Sequence, residues 1–170
     1  MKIASRLLAA VTLGVASICM PDTASGADRQ TTVGIESGYV SRNTSAYAGV
    51  YMRYQFSNFF ALKPQVDFVF RHKEQDAFML NLDGQFSLPI DTGKLNVYGI
   101  AGIGFSSWNV KELDEDGDWD MRRHGGIGFD LGAGVGYNVS SSLRLALEAK
   151  ANLVKHYTTA LVGISIGYNF

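Results

Sequence analysis

The stretch A-L-V-G-I-S-I-G-Y-N-F, residues 160–170, decides the reading of this chain. Ala160, Val162, Ile164, Ile166, Tyr168 and Phe170 fall on one phase, and Gly163, Ser165, Gly167 and Asn169 on the other, with Leu161 as the one large apolar exception. A period of two marks a strand whose faces meet different surroundings.

The same alternation runs backward through the chain and predicts seven more strands. These span Thr32 to Val40, Ala46 to Phe56, Phe60 to Arg71, Phe78 to Leu88, Leu95 to Phe105, Gly126 to Asn138 and Leu143 to Asn152. Polar breaks separate them: Ser41–Ser45, Ser57-Asn58, His72–Asp76, Pro89–Gly93 and Ser140–Ser142. Ser106–Arg123 is the one long polar insertion and is expected to be a surface loop. Pro64, which lacks a ladder donor, belongs near a strand start or at a bulge.

The second faces decide between water and lipid. They hold Glu36, Asp67, Asp83, Asp130 and Glu148 against Arg53, Lys63, Arg71, Arg144 and Lys150, a balance that fits ion pairing in an interior. A soluble barrel would turn the same residues outward, and periodicity by itself allows either arrangement. Three features favour lipid. The polar faces are rich in glycine, the strands reach the roughly 9–11 residues needed to cross a bilayer at a tilt, and short joins alternate with longer ones. Phe56, Phe60, Phe86, Tyr137, Tyr168 and Phe170 fall toward one end of the strands, and Tyr39, Phe70, Phe78 and Phe105 toward the other. That is two aromatic girdles around an aliphatic middle. The expected fold is all-β, an eight-stranded antiparallel up-and-down transmembrane barrel whose narrow lumen is a packed network.

The N-terminus reads as an export signal. Lys2 and Arg6 precede the apolar run Leu7–Met20, and Ala24-Ser25-Gly26-Ala27 offers small residues for cleavage after Ala27. Residues 1–27 are thus expected to be removed and 28–170 to form one barrel domain. The single cysteine, Cys19, lies in the removed segment, behind an Ile18 too bulky for a lipidation site. The formal net charge of -1, with 18% charged residues, excludes the basic surface that nucleic acid requires. Nineteen glycines against three prolines fit a crowded sheet.

The export signal, the glycine-rich strands L-N-V-Y-G-I-A-G-I-G-F at 95–105 and G-I-G-F-D-L-G-A-G-V-G-Y-N-V at 126–139, and the terminal I-S-I-G-Y-N-F together resemble the small outer-membrane barrels grouped with OmpX and the OmpA membrane domain. The resemblance covers residues 30–170. It implies a location in the cell outer membrane, a wall in contact with outer-membrane lipids, and recognition of the C-terminal strand ending in Phe170 by the barrel assembly machinery. The peptidoglycan-binding domain of full-length OmpA relatives is expected to be absent. The function expected is that of a non-enzymatic barrel offering residues 106–123 to an extracellular ligand. The competing classes are a lipid A modifying enzyme of deacylase type, a narrow solute channel and a soluble lipocalin-like carrier.

No catalytic, cofactor-binding or metal-ligating residues are assigned. His156-Tyr157-Thr158 is similar to the H-x-S arrangement of the deacylases, but threonine replaces serine and no acid follows to orient the imidazole. Asp114–Asp120 is dense in oxygen ligands yet lacks the spacing and closing glutamate of an EF-hand. Gly99, Gly102, Gly104, Gly132, Gly134 and Gly136 have no strand-to-helix transition to cap a phosphate, and fit tight packing around lumen side chains instead.

Overall fold

A computed structural model describes residues 30–72, 75–89, 94–113, 119–154 and 158–170. The expected export segment, with its expected cleavage site and Cys19, lies outside them. Eight strands form: β1 Thr31–Val40, β2 Ser45–Gln55, β3 Phe60–His72, β4 Gln75–Ser87, β5 Leu95–Leu113, β6 Trp119–Asn138, β7 Leu143–Val154 and β8 Thr159–Asn169. Each pairs antiparallel with its chain neighbours, and β1 also pairs with β8 from Thr32↔Asn169 to Val40↔Leu161. The sheet closes with no free edge around its girth.

The phase is the one that lipid demands. Ile127, Phe129 and Ile164 are 77%, 67% and 66% exposed, while Glu36, Lys63, Asp67, Asp83, Asp130 and Lys150 are buried inside. A soluble carrier needs the reverse, so that class is overturned. Phe56, Phe60 and Phe86 form one rim cluster, with ring centroids 5.8 and 5.2 Å apart along the series, and Tyr168 and Phe170 meet at 4.9 Å. The Phe60 ring lies over Gly84 of the neighbouring strand and covers backbone that has no side chain of its own.

Two tight turns at the end that carries both termini are built alike. Ser57 Oγ accepts from the amides of Phe59 and Phe60, and Ser140 Oγ accepts from those of Ser142 and Leu143. A serine that captures the following amides is the local reason the chain reverses there. At the far end Thr44 closes the β1–β2 turn with φ 57°, an uncommon conformation for a β-branched residue.

Two sequence expectations require correction. Ser106–Arg123 is mostly ladder and not loop, because β5 and β6 stay paired from Ser106↔Gly126 out to Leu113↔Trp119. Past the buried Ser106 and Trp108 both faces of the hairpin leave hydrocarbon and lumen for water, so its strands need no apolar alternation there and leave no period to read. Arg71 is not an interior base. The register shifts between Val69 and His72, and Arg71 is exposed within that irregularity. The buried interior set is therefore Glu36, Asp67, Asp83, Asp130 and Glu148 with Arg53, Lys63, Arg144 and Lys150.

Candidate functional site

The interior is layered from the terminal end to the far end. Nearest the termini, Arg53 Nε donates to Gln85 Oε1 at 2.8 Å and its Nη1 to Gln55 Oε1 at 2.9 Å, while the Arg144 guanidinium stands 5.8 Å from the Tyr98 ring centre. Gln85 relays inward, its Nε2 donating to Glu148 Oε1 at 2.9 Å, and the Tyr98 hydroxyl donates to the same oxygen at 2.7 Å.

Lys63 is the hub of the next layer. Its Nζ lies 2.6 Å from Glu36 Oε2 and 2.6 Å from Glu148 Oε2, and 4.6 Å from the centre of the Tyr51 ring. Tyr47 donates to the remaining Glu36 oxygen at 2.6 Å. One ammonium thus joins β1, β3 and β7 across the lumen. Desolvation of three charges is offset here by paired and hydrogen-bonded geometry.

Above Lys63 lies an acid-rich layer. Lys150 Nζ meets Asp83 Oδ2 at 2.8 Å, Asn152 donates to Asp130 Oδ1 at 2.6 Å, and both Asp67 oxygens accept amide protons, from Gln65 at 2.7 Å and Asn81 at 3.0 Å.

The far end is capped with apolar side chains. Val40, Tyr47, Val69, Ala77, Met79, Trp108 and Leu161 form one buried cluster. The β1–β2 turn lies over it: Arg42 stands 5.5 Å from the Trp108 ring centre, Asn43 donates to the Gln75 carbonyl at 3.3 Å, and Ser45 to that of Phe70 at 2.6 Å. Sequence reasoning missed this cap. Its signal was available, since Val40, Val69, Met79 and Leu161 are all apolar residues on the polar phase.

Tyrosines and glycines fill the wall together. Tyr98 lies against Gly134, and Tyr51 against Gly34 and Gly167, so the glycines on the polar phases make room for rings laid flat across neighbouring strands. Gly99, Gly102 and Gly104 lie within β5, and Gly132, Gly134 and Gly136 within β6.

The remaining sequence candidates do not assemble into a centre among the described residues. His156 lies outside them. Thr158 precedes β8, is exposed, and donates its hydroxyl proton to the Val154 carbonyl at 3.3 Å. Of the acidic run, Asp114–Asp118 lies outside the described residues, while Asp120 pairs with Glu112 in the backbone ladder.

Comparison with known proteins places the architecture. The family model of the outer membrane protein beta-barrel domain matches residues 4–170. The N-terminal beta-barrel domain of Pseudomonas aeruginosa OprF is similar at 16% identity and a TM-score of 0.65, over 86% of this chain and 100% of that one. Neisserial surface protein A is 14% identical with a TM-score of 0.64, over 86% and 100% of the two chains. Ail, the attachment invasion locus protein of Yersinia pestis, is 13% identical with a TM-score of 0.60, over 84% and 99%. No curated protein sequence matches the chain.

Proposed function

Because this chain belongs to the family of outer membrane protein beta-barrel domains, we propose that it is a non-enzymatic barrel that holds its β5–β6 hairpin outside the cell for an extracellular partner. Its location in the outer membrane follows from the family. With the short serine turns in the periplasm, the long hairpin lies on the outer side.

One observation carries the reading. β4 pairs with β5 only as far as Val110, and β7 pairs with β6 only from Gly128, so Lys111–Leu113 and Trp119–Met121 pair with each other alone among the described strands. A ladder projecting beyond the wall offers backbone donors and acceptors as well as side chains to a partner. Ail is named for attachment and its structure is known in complex with the heparin analogue sucrose octasulfate, which makes heparin one probe to use.

The test compares cells that carry the full barrel with cells in which residues 111–121 are replaced by Asn-Gly, which keeps Val110 opposite Arg122. Adherence to immobilised heparin and matrix proteins is expected to fall with the replacement at equal levels of folded barrel. Equal adherence would overturn the reading. The charged hub and the apolar cap favour a wall without steady ion flow, and a uniform open state in planar-bilayer recordings would support a channel instead. Lipid A mass spectra test the enzymatic class: acyl loss that appears with the protein and vanishes with His156→Ala would establish a deacylase.

A further inference from the structure

The layer above Lys63 has an excess of acid, whereas the rest of the interior, Glu36 and Glu148 with Arg53, Lys63 and Arg144, has an excess of base. Asp67, Asp83 and Asp130 share the acid layer with one cation, Lys150. At full ionisation that leaves two negative charges without a counter-charge, in a part of the wall where Asp67, Asp83 and Asp130 are each 0% exposed.

The orphaned atoms there are all oxygens. Asp83 Oδ1, Asp130 Oδ2, Asn81 Oδ1 and Asn152 Oδ1 are buried without a hydrogen-bond partner. The amide oxygens cannot be traded for nitrogens by turning the groups over. Asn81 Nδ2 is held by Asp67 Oδ2 at 3.0 Å and Asn152 Nδ2 by Asp130 Oδ1 at 2.6 Å, and an oxygen in either place would face a carboxylate oxygen. Acceptors without donors gather in one place, the reverse of what a self-satisfied polar core shows.

Backbone register brings them together. Asp83 pairs with Gly102, Gly102 with Asp130, and Asp130 with Asn152, so one row across β4 to β7 places two carboxylates on either side of a residue with no side chain. Asp83 Oδ1 leans over Gly102. One step farther out, the Cβ position of residue 104 would stand 2.6 Å from Asn81 Oδ1 and 2.9 Å from Asp130 Oδ2. Asn152 Nδ2, committed to Asp130 Oδ1, stands 2.6 Å from the same position, so glycine at 102 and 104 is what lets side chains from β4, β6 and β7 converge.

The geometry points to a hard divalent cation of calcium type bound inside the barrel wall, with Asp83, Asp130, Asn81 and Asn152 as its oxygen ligands and Asp67 supplying charge from behind. Carboxylate and amide oxygens are the donor set that calcium takes, and the missing charge is that of one such ion. No group of three acidic or histidine side chains stands ready to hold a metal among the described residues. This site uses two carboxylates and completes its shell with amide oxygens and water. The apolar cap closes the far side and the Lys63 hub the other, so the ion enters while the barrel is closing and exchanges slowly afterwards.

The experiment refolds the protein from urea into detergent micelles in calcium or in chelator, removes outer calcium with chelator, and measures bound metal by elemental analysis of the gel-filtered barrel. The unmodified protein is expected to retain about one calcium per barrel. Asp83→Asn with Asp130→Asn, and separately Asn152→Ala, which leaves the charge unchanged, should lose it, whereas Asp116→Asn with Asp118→Asn should keep it. Folding of each variant is checked by its heat-modifiable gel mobility. If the acid pair is needed for folding, Asn152→Ala still reads the site. A folded unmodified barrel that holds no calcium after refolding in it would overturn the proposal, its carboxyls then sharing a proton or water. Retention by the double Asp83/Asp130 variant, or loss on changing Asp116 and Asp118, would overturn it too by moving the ion elsewhere.

Discussion

Around Lys63 the interior is held by charge: one ammonium between two carboxylates, each carboxylate also taking a tyrosine hydroxyl. Around Trp108 and Leu161, toward the far end of the same lumen, it is held by apolar contact under a turn. The difference teaches how each layer fails. A paired charge that loses its partner is left dehydrated and costs more than the pair contributed, whereas an apolar layer that loses a side chain costs the lost burial and whatever cavity remains.

The largest effect should therefore come from the hub. Lys63→Met strands Glu36 and Glu148, and we expect a loss of about 3–5 kcal/mol in urea unfolding from micelles. Adding Glu36→Gln and Glu148→Gln to the same chain should restore much of it. If the triple variant is no better than Lys63→Met, the hub matters for its shape and not for its charge.

Next comes the wall that faces lipid, where the same kind of charge has no partner at all. Ile164 lies midway along β8 and is 66% exposed, and Ile164→Arg should cost about 2–4 kcal/mol at the depth of the bilayer middle. Normal yields of heat-modifiable protein in the outer-membrane fraction would contradict the outward assignment of that phase. Leu145→Arg, paired with the rim residue Tyr137 of β6 and one step from Tyr168 of β8, should cost less, since the penalty falls toward the interface.

The cap should respond more mildly. Leu161→Ala is expected to cost about 2 kcal/mol, at the low end for a buried leucine because the overlying turn can settle into the space. A loss as large as that of Lys63→Met would remove the contrast between the two layers. Smallest of all, Thr44→Gly should add about 0.5 kcal/mol to the unfolding free energy and so raise the urea midpoint slightly, because it relieves a left-handed β-branched residue at some cost in chain entropy. A lowered midpoint would mean that the turn relies on its threonine.

These contrasts also mark how far the sequence could be read. Inside the membrane every strand must show lipid one face and the lumen the other, so the period of two in Leu143–Val154 or Thr159–Asn169 was open to inspection. That requirement stops where the wall leaves the bilayer. Lys111–Leu113 and Trp119–Met121 are strands for ladder reasons alone, and Arg71 lies within a register shift that no alternation announces. The oxygen cluster was hidden for another reason: Asp83, Asp130, Asn81 and Asn152 sit on three strands, and only the register carries them to one place.

The glycines beneath the tyrosines bear on how the barrel closes. Tyr51 of β2 crosses Gly34 of β1 and reaches Gly167 of β8, and Tyr47 likewise spans Gly38 to Gly163. Both rings therefore bridge the seam where the two ends of the chain meet, the junction whose partners are farthest apart in sequence and entropically the most expensive to join. A slip of one residue there would turn the glycines toward lipid, and a slip of two would set Tyr51 against Ser165 or Asn169 in place of Gly167. The rings can lie flat in one register only, so the act of sealing the cylinder is also the check that it has been sealed correctly.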